Sequence, residues 1–151
     1  MIQYKLLTSR FRGVEKNKDG RVLVVDDDAA MRTILVSILG KDFTVVAKRN
    51  GLEAMVWLSE GNLPDVIISD IMMPHLNGYD FIRNLRQSGI YSTIPVLVLS
   101  GHDSEETEEE SLRMGADHYL SKPFDPKAVL DYALKAYFRT KFKGKSPLLH
   151  N

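Results

Sequence analysis

The chain contains no cysteine and a single tryptophan in 151 residues. Without cysteine there is no disulfide framework, no thiolate metal site and no cysteine nucleophile, and a reducing cytoplasm is the natural home. No apolar run approaches membrane-spanning length. The opening Met1-Ile2-Gln3-Tyr4-Lys5-Leu6-Leu7 lacks the sustained apolar core and small-residue cleavage site of a signal peptide, so neither a membrane location nor secretion is expected. Net charge is also absent, but only by cancellation. Residues 1–21 hold six Lys/Arg against two acids, residues 135–151 hold five against none, and the segment between holds nine against eighteen. The body is therefore acidic and both ends are basic, and the ends read as solvated tails. There is no internal repeat, low-complexity stretch, helix-turn-helix or other nucleic-acid module, so no DNA-binding domain is expected on the chain. A length of 151 residues suits one core and not two. The expected organisation is a basic extension over 1–20, a domain over 21–140 and a basic tail over 141–151.

What is present is a rhythm of short buried strands and helices. Val66-Ile67-Ile68 is a β-branched run without polar alternation, as in a strand covered on both faces, and it lies between Pro64 and Met73-Pro74 with Asp70 at its C-terminal end. Arg21-Val22-Leu23-Val24-Val25 is a second such run, ending in Asp26-Asp27-Asp28. Ala30, Ile34 and Ile38, with Leu35 and Leu39 beside them and Gly40 as the stop, predict an amphipathic helix. Phe43 to Ala47 predicts a strand, and Asn50-Gly51 opens a helix with Ala54, Met55 and Leu58 inward and Trp57 as its cover. Asn77 to Leu85 is helical by spacing, and Pro95-Val96-Leu97-Val98-Leu99 is a buried strand ending in Ser100-Gly101. The helix from Asp103 to Met114 carries five glutamates, and only Leu112 and Met114 are strongly apolar, so it should be the loosest. His118-Tyr119-Leu120 is a short last strand. Asp125-Pro126 then caps a helix with Leu130, Ala133, Leu134 and Tyr137 inward.

Five βα units imply an α/β domain with a doubly wound, flavodoxin-like five-stranded parallel sheet in the order 2-1-3-4-5 and five helices. That order brings Asp26, Asp27 and Asp70 together at the switch point. With no arginine near them in sequence, a hard divalent cation held by oxygens is the simplest compensation. Ser100 adds a hydroxyl and Lys122 a mobile positive charge at neighbouring strand ends.

The ordered set Val24-Val25-Asp26-Asp27, Asp70 with Met73-Pro74 and Gly78, Ser100-Gly101, Gly115-Ala116-Asp117 and Tyr119-Leu120-Ser121-Lys122-Pro123-Phe124 resembles the signature of response-regulator receiver domains, over about residues 21–138. The resemblance implies a stand-alone phosphorylation-activated switch of two-component signalling. In it, Asp70 is the phosphoryl acceptor, and Asp27, Asp70 and the backbone carbonyl of Met72 bind Mg²⁺, with Asp26 acting through a metal-bound water. Ser100 and Lys122 would meet phosphoryl oxygens, Tyr119 would be a rotating aromatic switch, and the Lys122-Pro123 bond would be cis. The implied donor is a phosphohistidine on a sensor kinase or a histidine phosphotransfer protein. Output would pass through the face of the fourth helix, fifth strand and fifth helix to an unidentified protein target or, second in rank, to a homodimer formed on phosphorylation. Such a protein is not a turnover enzyme, since it catalyses its own modification and slow loss of the phosphoryl group. Met72 cannot orient an attacking water, while His102 would temper the slowness.

Two other classes compete with this reading. A phosphorylation-independent protein-binding module of the same fold is weakened because every pocket residue is present. A haloacid-dehalogenase-like phosphatase requires Thr or Val two residues after Asp-x-Asp, where Asp26-Asp27-Asp28-Ala29-Ala30 offers alanine.

Overall fold

The computed structural model describes residues 18–101 and 105–142. The expectations placed on most of the basic extension, on His102 and Asp103, and on the tail beyond 142 lie outside the described residues. Strands and helices alternate as β1 (Arg21–Val25), α1 (Ala29–Leu39), β2 (Thr44–Lys48), α2 (Gly51–Ser59), β3 (Val66–Ser69), α3 (Gly78–Gln87), β4 (Val96–Ser100), α4 (Glu105–Met114), β5 (His118–Ser121) and α5 (Pro126–Lys141). All four strand pairings are parallel, and the sheet runs β2-β1-β3-β4-β5. Adjacent strand residues separate onto opposite faces with the period of two that a pleated strand imposes. Leu23, Val25, Ile67, Val96 and Val98 meet Ala54 and Leu58 of α2 and Phe81, Ile82 and Leu85 of α3 on one side. Val22, Val24, Ile68, Leu97 and Leu99 meet Leu35 and Leu39 of α1 and Val129, Ala133 and Ala136 of α5 on the other. This is why β1, β3 and β4 read as continuous apolar runs.

Helix starts follow the sequence. Asp28 Oδ1 accepts from the Ala30 and Met31 N–H groups at 2.9 and 3.4 Å. Asn50 and Asn77 cap α2 and α3 in the same way, and Asp125 caps α5 ahead of Pro126. Several details differ from expectation. Phe43 is buried but precedes β2, with its ring edge-on to Tyr137 at 5.8 Å, so the strand starts at Thr44. In α1 the buried positions are Leu35 and Leu39 while Ile34 is 46% exposed, because the helix packs through one edge of its apolar stripe. Gly40 caps the end of the helix as expected, though in right-handed geometry (φ −69°), its N–H donating to the Val36 carbonyl. In α5 the smaller Val129, Ala133 and Ala136 touch the sheet, and Leu130, Leu134 and Tyr137 are half-buried around them. The α4 helix buries Ser111 and leaves Leu112 outside.

One polar hub ties the α3 side of the sheet together. From α3, Arg86 Nε donates to the Gly115 carbonyl at 2.8 Å and Nη1 to the carbonyls of Ser92 and Ile94 at 3.0 and 2.8 Å. Its Nη2 donates to Asp117 Oδ2 at 2.9 Å, and that same oxygen accepts the Val96 N–H at 2.8 Å. Gly115 holds φ +116°, and a Cβ there would meet Arg86 Cγ at 2.7 Å, so the turn before β5 and the guanidinium require each other. Replacing Arg86 leaves three carbonyls without their donor and takes the ion-pair partner from Asp117, whose Oδ2 keeps the Val96 N–H. We expect Arg86→Ala to lower unfolding stability by about 2–3 kcal/mol in urea titration. Arg86→Lys should recover little of this, because an ammonium lacks the planar fork.

Candidate functional site

The C-terminal ends of β1, β3, β4 and β5 form one edge of the sheet. The register sets Val25 opposite Ser69 and Ser100 opposite Ser121, so the residues that follow each strand come together. Asp70 extends the β3 pairing by donating its N–H to the Val25 carbonyl at 2.9 Å, and Asp26 extends β1 by donating to the Lys48 carbonyl at 3.1 Å. Carboxylate oxygens of Asp26, Asp27 and Asp70 lie within 4.8 Å of one another, with Asp26 and Asp70 buried and Asp27 exposed.

The cluster is not uncompensated, as the absence of a nearby arginine in sequence had suggested. Lys122 reaches across from the end of β5, and its Nζ donates to Asp26 Oδ2 at 2.9 Å and to Asp70 Oδ2 at 3.2 Å. It is aimed there by the Lys122 N–H, which donates to the Ser100 carbonyl at 2.8 Å, and the Lys122-Pro123 bond that follows is cis. Burial pushes the Asp26 carboxyl above its usual range, against the Asp28 N–H and the Lys122 ammonium, which pull it down. Burial acts to lower Lys122 as well, but the hydrogen bonds and charges of Asp26 and Asp70 outweigh it and raise the ammonium above its ordinary value.

The main chain holds each carboxylate in place. Asp26 Oδ1 accepts the Asp28 N–H at 2.9 Å, and Arg32 Nη1 donates to the Asp26 carbonyl at 2.8 Å. Asp70 Oδ1 accepts the Ile71 N–H at 2.7 Å, and Ser69 Oγ donates to the Asp70 carbonyl at 2.8 Å. Behind Asp70 the start of α3 comes so close that a Cβ on Gly78 would lie 2.3 Å from the Asp70 carbonyl oxygen and 2.7 Å from Ile71 Cα. Sequence reasoning quoted Gly78 within a motif but gave no role to Asp28, Ser69 or Arg32. For Asp28 the signal was its helix-capping position; for Arg32 and Ser69 no local pattern announces the contact.

The other expected site residues are placed as follows. Ser100 ends β4, fully buried beside Lys122. Met72 stands two residues past Asp70 and is 57% exposed. Tyr119 is buried in the α2/α3-side core, across from Val98, rather than in the carboxylate cluster.

Three carboxylates facing one ammonium leave a net negative, oxygen-lined edge that suits a hard divalent cation. Lys122 competes with such a cation for Asp26 and Asp70. Removing its charge is worth ~1 kcal/mol or more at contact distance even in water, so Lys122→Ala should bind Mg²⁺ about five-fold tighter or more in calorimetric titration. Unchanged affinity would mean that the lysine is no competitor.

Comparison with known proteins agrees with this geometry. The family model of the response regulator receiver domain matches residues 22–134. Among curated relatives, the alkaline phosphatase synthesis transcriptional regulatory protein SphR of Synechococcus elongatus is 36% identical over 119 residues, covering 73% of this chain and 46% of that protein. Response regulator MprA of Mycobacterium ulcerans is 38% identical over 124 residues, covering 82% and 52%. The chain thus spans about half the length of the curated relatives it matches. Among solved structures, the receiver domain of Francisella response regulator 1452 superposes with TM-score 0.74 at 34% identity, covering 80% of this chain and 98% of that one. Chemotaxis protein CheY4 of Vibrio cholerae gives 0.71 at 31%, covering 78% and 98%. A doubly wound sheet with an acidic pocket at its switch point, matched by the family model over three quarters of its length, makes this chain a member of the response regulator receiver domain family.

Proposed function

We propose that the chain is a phosphorylation-activated switch in which Asp70 accepts a phosphoryl group from a phosphohistidine of a sensor kinase or a histidine phosphotransfer protein. The observation that carries this reading is the bridging of Asp26 and Asp70 by Lys122 at 2.9 and 3.2 Å beside the exposed Asp27. A carboxylate is a weak nucleophile, but phosphoryl transfer depends mainly on in-line placement and on neutralising the equatorial oxygens. Asp70 is held by the Ile71 N–H and fixed from behind by α3, so its carboxylate presents one orientation to the solvent side. Attack on phosphorus forms the O–P bond of an acyl phosphate while the P–N bond of the donor breaks, and the imidazole departs with the electron pair. Lys122 then has a second anionic partner in reach and shifts from Asp70 toward a phosphoryl oxygen. The Ser100 hydroxyl, buried at the neighbouring strand end, supplies a hydrogen bond to another. Asp26, Asp27, Asp70 and the Met72 carbonyl would hold Mg²⁺, with Asp26 acting through water, and the ion would supply positive charge to the transferring group. The chain acts here as a self-modifying acceptor and not as a turnover enzyme.

The reading is tested by mass spectrometry after incubation with acetyl phosphate and Mg²⁺. Wild type should gain one phosphoryl group, whereas Asp70→Asn and Asp27→Ala should gain none. Labelling of Asp27→Ala that still depends on Mg²⁺ would remove Asp27 from the site.

Output is assigned to the face of α4, β5 and α5, read by a separate protein first and a second copy of the chain second. Two features support this. The Lys122 N–H joins the end of β5 to Ser100, and α4 contributes only Ser111 to the buried interior. A segment with so little buried apolar surface opens at low cost. With beryllofluoride standing in for the phosphoryl group on Asp70, hydrogen exchange should change across the end of β4, α4 and β5, while α1 stays as it was. Unchanged protection over α4 and β5 would rule this face out.

A further inference from the structure

The outer side of α2 carries a groove distinct from the acidic edge. Lys48, Leu52, Glu53, Val56, Trp57 and Glu60 line a volume of about 390 Å³. Leu52 and Val56, one turn apart, are 54% and 52% exposed, and Leu63, just beyond the helix, is 56% exposed. At the lower end the Arg21 guanidinium lies over the Trp57 ring, 5.9 Å from its centre. Exposed apolar side chains aligned along one helix, beside the partly buried ring of the chain's single tryptophan, form a docking surface more than a solvated face.

The chain itself holds a segment that fits. Lys18 and Gly20 run beside the start of β2, where Thr44 Oγ1 donates to the Lys18 carbonyl at 3.2 Å and the Thr44 N–H to the Gly20 carbonyl at 2.9 Å. The described residues begin at Lys18, three residues before Arg21, whose guanidinium lies over Trp57, so the seventeen residues before Lys18 are tethered close in sequence to one end of the groove. Their extended reach of ~56 Å far exceeds the ~14 Å length of a nine-residue α2. In that stretch Tyr4, Leu7, Phe11 and Val14 recur at i, i+3, i+7 and i+10, a spacing that puts four apolar side chains on one helical face, opposite Lys5, Arg12 and Lys16. The segment carries four Lys/Arg against Glu15 alone, and the groove's rim carries Glu60 and Lys48 together with Glu53, which Arg49 already holds at 2.6 Å, so the fit rests on the apolar side chains more than on charge. Tethering raises the effective concentration of this segment to about the millimolar range, well above that of any free competitor.

We propose that residues 1–17 dock along the α2 groove of their own chain, with Tyr4, Leu7, Phe11 and Val14 against Leu52, Val56 and Trp57. The groove touches the acidic edge only through Lys48, whose carbonyl accepts the Asp26 N–H, and the docking residues named are not site residues, so the proposal is tested independently of the switch function.

The 151-residue chain carries its own reporter, because Trp57 is its only tryptophan. Acrylamide quenching of Trp57 should rise about two-fold in Leu7→Ser/Phe11→Ser, with a red shift in emission. The same pair of substitutions should have no further effect once Leu52→Ser/Val56→Ser has removed the groove. Both groove side chains are more than half exposed, so their loss leaves the core intact. Cysteine cross-linking supplies a second measurement, since the chain has no cysteine of its own. Under mild oxidant, Leu7→Cys with Val56→Cys should form an intramolecular disulfide, and Leu7→Cys with Ile34→Cys, on the far face, should not. Quenching unchanged by the segment substitutions, or cross-linking no faster than in the Ile34 control, overturns the proposal. Protection of Trp57 that is lost on dilution, or disulfides that join two chains, gives the groove to a second copy and overturns it equally.

Discussion

Holding three carboxylates within 4.8 Å of one another is the constraint around which this molecule is built. Two of them are buried, and burial penalises their charge. The fold offsets the cost with main-chain N–H groups aimed at Asp26 and Asp70 and with one lysine drawn from the opposite end of the domain sequence. Such an arrangement requires β1 and β3 to be neighbours and β5 to end at the same level. The strand order delivers this by placing the first and third strands side by side at the centre. The apolar content of β1, β3 and β4 follows from the same requirement, since central strands need helices on both faces.

Much of this was legible from the sequence, for identifiable reasons. Buried parallel strands leave uninterrupted Val/Ile/Leu runs, helix starts leave Asp or Asn caps, and chain direction then fixes which strand ends carry the acids. Asp26, Asp27, Asp70, Ser100 and Lys122 are therefore gathered onto one edge by sequence pattern alone. Three kinds of information were not legible. Which apolar residues of an amphipathic helix face inward depends on packing angle, so Ile34 and Leu112 lie outside while Ala136 and Ser111 lie inside. Long-range polar partners such as Arg86 with Gly115 and Asp117 leave no local pattern. That Lys122 bonds both Asp26 and Asp70 as their resident counter-ion leaves no pattern near the acids, because the fold brings it from 96 residues beyond Asp26.

The two sides of the sheet are anchored unequally. On the α1/α5 side, Leu35, Leu39, Val129, Ala133 and Ala136 interlock with six sheet residues and Phe43. On the other side, α2 and α3 are well seated, and Gly78 lets α3 approach the Asp70 main chain, but α4 is held by little apolar surface. A disturbance at Asp70 thus finds rigid neighbours on most sides and one compliant neighbour.

Ser111 sharpens that contrast. It is the only buried residue of α4, and its Oγ donates to the Thr107 carbonyl of the same helix at 2.7 Å. A large apolar side chain in its place would open a cavity whenever the helix shifted, and a hydroxyl bonded to another element would be left unpaired. Ser111 does neither, because it carries its acceptor along with it. The helix can shift as a unit without breaking this hydrogen bond or emptying a hole at Ser111, so its hold on the interior passes to its C-terminal end, where Met114 packs on the core and the Gly115 and Ala116 N–H groups donate to the Leu112 and Ser111 carbonyls.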